Sequence, residues 1–159
     1  MGLIVGKEFK KLMVGYPTVS DKYDVGGGVL EGTEAVENGD VVTFGTQSGG
    51  YKKATALTAA KDVAGIVLAT NVKMPTEWPA RSENIKTLPG EAFNLMVRGF
   101  IAVACDTTAV ETDIKEGAPV YLTAAGKVTT VSASNIAMPW KFMGIKEKHG
   151  TTLVAEIVM

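Results

Sequence analysis

Cys105 and His149 are the only cysteine and histidine in the chain, and a thiol beside an imidazole is one way to make a nucleophile at neutral pH. Their neighbourhoods argue against that use. Cys105 closes an apolar run, where a thiol is a buried structural group. His149 stands directly before Gly150, in a turn, as an exposed side chain rather than a positioned base. One cysteine excludes an intrachain disulfide, and one histidine leaves no zinc-type ligand set. Asp106, Glu111, Asp113 and Glu116 share one loop, but without the spacing of a Ca²⁺-binding loop, so a solvated polar connection is expected. Gly26, Gly27 and Gly28 have the glycine content of a dinucleotide loop. No strand pattern precedes them and no helix pattern follows, so they read as a flexible linker. The Gly-Lys-Ser/Thr phosphate loop, the Gly-x-Ser-x-Gly elbow and the His-Glu-x-x-His motif are all missing. The sequence therefore reads as a non-enzyme with no cofactor and no metal.

The residues suited to gripping a partner are basic and aromatic. Val5, Phe9, Leu12 and Met13 fall on one face of a short helical pattern, with Lys7, Lys10 and Lys11 opposite. Two turns are marginal in water. A polar, glycine-rich passage follows, with Tyr16-Pro17 at its start, so residues 1–33 are expected to form an extended N-terminal arm that orders on a partner. Residues 71–90 hold Pro75, Pro79 and Pro89, which reject a long helix or a central strand. A surface excursion of this length is uncommon unless it binds something, and it carries Trp78 and Arg81. Lys7, Phe9, Lys11, Tyr16, Trp78 and Arg81 are accordingly the candidate partner-binding residues. Trp140 leads into a strand pattern and is expected in the core.

The remaining composition narrows the partners. A net charge of −1 and a pI near 5.9 provide no global basic field for nucleic acid or an anionic membrane. The longest apolar runs are too short to span a bilayer, and the first residues lack the apolar core of a secretion signal. Synthesis in a reducing cytoplasm is expected. At 16.7 kDa the chain should bury about two-thirds of its extended surface, enough for a core without staples.

Eighteen glycines, abundant Val and Thr, and few runs at helical spacing favour an all-β domain over residues 34–159, a β-sandwich or barrel-like unit. Gly117-Ala-Pro-Val-Tyr-Leu122, a bend at Gly126 and Lys127-Val-Thr-Thr-Val131 read as a hairpin, with Pro119 at the first residue of its strand. The same order occurs earlier. Gly39-Asp-Val-Val-Thr-Phe44 leads through Gly49 and Gly50 to Tyr51, then to Val63-Ala-Gly-Ile-Val67, as the later hairpin leads to Phe142-Met-Gly-Ile-Lys146. An internal duplicated β unit follows from this. Residues 93–103 form the longest strand candidate, with Gly99 as a bulge or a close backbone approach.

These motifs resemble the structural cement, or capsid decoration, proteins of tailed bacteriophages. The matching segments are Val36-Glu-Asn-Gly-Asp-Val-Val42, Val63-Ala-Gly-Ile-Val67, Gly90 leading into Met96-Val-Arg-Gly99, Gly117 to Thr123 with Gly126-Lys-Val-Thr129, and Phe142-Met-Gly-Ile145. The resemblance implies a β domain on the outer capsid surface that bridges neighbouring major capsid subunits as a homo-oligomer, dimer or trimer. It carries over no catalytic residue. The expected function is a virion structural protein that stabilises the expanded shell. The rival reading is a carbohydrate- or host-surface-binding β module of a virion, with Trp78, Tyr51 or Tyr121 as a stacking platform. A small hydrolase using Cys105 or His149 ranks last.

Overall fold

A computed structural model describes residues 14–18, 24–69 and 86–159. They form twelve strands: β1 Asp24–Leu30, β2 Val36–Glu37, β3 Val41–Phe44, β4 Gly50–Lys53, β5 Val63–Val67, β6 Lys86–Thr87, β7 Ala92–Arg98, β8 Phe100–Ala104, β9 Pro119–Leu122, β10 Val128–Thr129, β11 Ile136–His149 and β12 Thr152–Val158. Short 3₁₀ turns at Ala60–Asp62 and Glu111–Asp113 complete the described structure. Residues 1–13, which hold Lys7, Phe9 and Lys11, and residues 70–85, which hold Trp78 and Arg81, lie outside the described residues, as do residues 19–23.

The turn chemistry explains the strand starts. Gly39 takes a φ of +81° in the turn ahead of β3, a conformation that costs glycine little. Pro119 opens β9, where its missing N–H is not required by the ladder.

Strands β1, β4, β3, β5 and β7 close into a barrel in that order. Five strands leave a narrow interior, filled by Leu30, Val36, Val42, Ala64, Val67, Phe93 and Leu95. Side chains alternate across a strand, and here both faces are apolar for a reason. Val42, Val67 and Leu95 fill the barrel, while their neighbours Val41, Ile66 and Met96 join a second core with Ile101, Val103, Val120, Leu122, Trp140, Phe142, Leu153 and Ile157. Full burial of a side chain such as Ile66 or Met96 contributes about 1.5–3 kcal/mol.

The second sheet runs β10, β9, β11, β12, β8 and repeats the barrel's plan. Its order matches β4, β3, β5, β7, β1. In the barrel, β1 closes in parallel onto β4 through Leu30 and Tyr51. In the sheet, Cys105, which follows β8, makes a parallel bridge to Val128 of β10. Glu31 N–H donates to Tyr51 C=O at 2.7 Å, and Asp106 N–H donates to Val128 C=O at 2.7 Å. A separate set of pairings agrees. Gly39 N–H donates to Val67 C=O and Gly117 N–H to Phe142 C=O, both at 2.8 Å, so Val67 rather than Val63 is the counterpart of Phe142. These two face Leu95 and Ile157, which in turn face Gly26 and Ile101. Counting four residues on from Gly26 and Ile101 gives Leu30 and Cys105 again. The duplication read from two hairpins thus extends to five strands in each unit.

Three further sequence readings are corrected. Gly26, Gly27 and Gly28 are not a linker but the middle of β1, paired with Leu95, Asn94 and Phe93, so a barrel strand lies within the stretch read as an arm. Residues 93–103 are not one strand. The run breaks at Gly99, whose φ is +137°, and its halves enter different sheets. The strand read over residues 127–131 is only two residues long, because Thr130 and Val131 leave β10 to make the turn toward β11.

Candidate functional site

Of the sequence-derived candidates, Tyr16 is described, and its backbone joins the edge of β8. It is half-buried, and its C=O accepts from Ala102 N–H at 3.2 Å. Residues 14–18 run along the edge of β8, with Pro17 bridged to Ile101. Cys105 is buried, and desolvation pushes its thiol up to about 12, which removes it as a nucleophile near neutral pH. Trp140 lies in the core as expected. In the carboxylate loop, Asp106 Oδ1 accepts from the N–H and hydroxyl of Thr108 at 3.0 and 2.8 Å, and Glu111 pairs with Lys148. Among the described residues no group of three His, Cys, Asp or Glu is placed to hold a metal ion.

The two units meet along a polar and apolar seam. Asp40 is only 7% exposed and receives Lys127 Nζ at 2.8 Å, Glu37 N–H at 3.0 Å and Lys53 Nζ at 3.4 Å. Burial alone would raise its pKa, but these partners outweigh burial and hold the carboxyl below its ordinary value. Beside it, Leu57 N–H donates to Ala124 C=O at 2.8 Å. Gly126 lies so close to the barrel that a Cβ there would come within 2.6 Å of the Ala54 side chain. The β9–β10 bend is thereby seated on the first unit.

The corresponding β3–β4 bend, by contrast, is exposed. Glu31 pins it, accepting from Thr46 N–H and hydroxyl, both at 2.8 Å, and from Gln47 N–H at 2.9 Å. Those bonds, the Thr46 backbone first, hold the Glu31 carboxyl below its ordinary value. At the foot of the bend Phe44 is 62% exposed, with its ring 6.3 Å from that of Tyr51, which in turn meets Phe93 edge-on at 5.9 Å.

Internal comparison shows what is unusual about this side. Val25 of β1, Val29 of β1 and Val97 of β7 are 49, 44 and 52% exposed. Their counterparts in the second unit, Phe100, Ala104 and Met159, are half-buried, and the counterpart of Phe44, Leu122, is fully buried. The same positions are more exposed in the first unit than in the second. Val25 and Val29 alternate with Gly26 and Gly28 and so share the outer face of β1, and exposed apolar groups on one face mark a surface that meets another molecule. Sequence reading missed these four residues, although the pairing of the two hairpins already set Phe44 opposite Leu122.

A search by family model matches residues 17–156 to the XM1 gp53 minor capsid proteins. The chain belongs to that family. A chain of the solved capsid of Myoviridae phage XM1 superposes with a TM-score of 0.64 at 17% identity, over 98% of this chain and 95% of that one. That likeness establishes a shared fold. No curated protein matches the chain by sequence. Membership makes the protein a structural component of a phage virion associated with the capsid, in line with the resemblance carried by its β motifs. The apolar surface on the first unit is then the candidate site, and its chemistry is adhesion.

Proposed function

We propose that this minor capsid protein binds the outer surface of the shell, bridges neighbouring major capsid subunits and stabilises the expanded lattice. The observation that carries this reading is the exposure of Val25, Val29, Phe44 and Val97 on the first unit, whose counterparts in the second unit are half-buried or buried. An oligomer, dimer or trimer, would engage several subunits at once, and each contact could be modest because linked contacts raise effective concentration. Binding favours the expanded shell only by the difference in affinity for the two lattices. Lys7, Phe9 and Lys11, together with Tyr16, Trp78 and Arg81, are proposed as further contacts. No catalytic step is required by this role.

The test is co-sedimentation of the purified protein with undecorated capsids of its source phage, expanded and unexpanded. Saturable binding to expanded shells alone is the expected result. Equal binding to both lattices would remove the stabilising role, and binding to neither would return the host-surface module to first place.

A further inference from the structure

Val29 N–H donates to Gly49 C=O at 2.9 Å, on the edge of β1 that faces away from β7. Backbone groups alternate sides along a strand, and the β1 register against β7 is regular from Val25 to Val29. Val25 and Gly27 therefore direct their N–H and C=O groups to the same outer edge as Val29. Among the described residues no strand pairs with them there, since β4 reaches only Val29 and Leu30.

The second unit shows what this gap accepts. Phe100 and Ala102 of β8 are the counterparts of Val25 and Gly27, and residues 14–18 run antiparallel along them. Ala102 N–H donates to Tyr16 C=O at 3.2 Å, Gly15 N–H donates to Ala102 C=O at 2.7 Å, and Thr18 N–H donates to Phe100 C=O at 3.0 Å. One short extended segment fills the space ahead of β10. Among the described residues, one edge thus occurs in a filled and an open version.

We propose that the open edge of β1, at Val25 and Gly27, captures an extended segment of a neighbouring shell protein as an added antiparallel strand. The edge defines that segment. It is single, because β4 takes the same edge from Val29 onward. A second copy's β1, paired antiparallel, would bring its own β4 against the Asp24 end. It is uncharged where it touches, because Val25 and Val29 line the edge and the nearby Asp24 and Arg98 already neutralise each other at 2.8 Å. It lies close to the sheet, because Gly27 has no side chain to hold it off.

The proposal rests on the capsid-binding reading, and the experiment separates the two. Full-length variants are titrated against expanded, undecorated shells. Val25→Lys places a charge on the edge, a substitution that disfavours strand addition. Gly27→Pro removes the outward N–H while leaving the ladder to β7 intact. Val110→Lys, at an exposed position of the second unit, is the control. Both edge variants should keep the wild-type melting temperature and lose affinity by roughly tenfold or more. The control should bind normally, and the Val25 and Gly27 amides of the wild type should exchange more slowly on the shell. Failure of the wild type to bind any shell defeats the capsid-binding reading itself. Tight wild-type binding that Val25→Lys leaves unchanged, with no protection at Val25 and Gly27, overturns the edge proposal alone. Self-association of the free chain that Val25→Lys abolishes overturns it in favour of contact between copies. Should Gly27→Pro fail to fold, Val25→Lys with the exchange measurement decides the matter.

Discussion

Lys127 Nζ donates a 2.8 Å hydrogen bond to Asp40 Oδ1 across the seam between the two units, joining residues 87 positions apart. A depressed folded-state pKa such as that of Asp40 adds stability above the unfolded-state pKa and loses it as pH falls through the folded-state value. Asp40→Asn should cost about 1–3 kcal/mol near neutral pH. Its deficit should shrink as the pH is taken below the ordinary aspartate range, which urea midpoints at stepped pH will show. A deficit that stays constant down to acid pH would argue that the bond to Lys127 is not its source.

Glu31 supplies a second acid-sensitive element, local to one bend. Its lowered pKa comes first from the Thr46 N–H, then from the Gln47 N–H and the Thr46 hydroxyl, so the bend is held above the ordinary glutamate range and released as pH falls through the depressed value. Glu31→Ala should speed amide exchange at Thr46 and Gln47 and leave exchange in β11 and β12 unchanged. Unaltered exchange at both bend amides would show that the carboxylate does not hold them.

Two glycines of one triplet should respond oppositely to alanine. A Cβ at Gly28 would lie 2.1 Å from Gly49 C=O and 2.5 Å from the Tyr51 ring, whereas one at Gly26 meets a valine methyl at 3.3 Å. Gly28→Ala is expected to cost about 1–3 kcal/mol or more. Gly26→Ala should fall within about 1 kcal/mol of wild type, because ordering glycine in a strand already costs about 0.5–1 kcal/mol relative to alanine. Denaturant titration of the pair checks this, and equal losses would refute the asymmetry.

Phe44 and Leu122 occupy matching positions with opposite burial. Leu122→Ala should cost about 2–5 kcal/mol, while Phe44→Ser should stay within about 0.5 kcal/mol of wild type and weaken shell binding. A large stability loss from Phe44→Ser would place that ring in the fold rather than at an interface.

The Cys105 thiol, raised to about 12 by desolvation, should react with an aromatic disulfide reagent at pH 8 roughly a thousandfold more slowly than in denaturant. Labelling at the unfolded rate under native conditions would mean that the strand end opens readily.

Much of this architecture was legible in the residues. Pro119 marked the start of its strand because its backbone restriction is local. The paired hairpins announced the duplication because turn glycines recur in the same order. Gly26, Gly27 and Gly28 misled because glycine carries no strand propensity, and β1 forms only through its distant partners on β7. The run through Gly99 misled because apolar continuity cannot tell one sheet from two. Phe44 was hidden for a similar reason: an aromatic at a strand end looks the same in sequence whether or not another part of the chain covers it.

Met159 returns to the crossing point between the units, where its N–H donates to Gly99 C=O at 2.9 Å and its C=O accepts from Gly99 N–H at 3.4 Å. Tension applied at Met159 would therefore enter the molecule at its middle and act along β12, whose ladders to β11 and β8 lie parallel to the pull. Such ladders bear load in shear, with their bonds strained together rather than opened one by one. A tether attached there would test the seam as a mechanical joint.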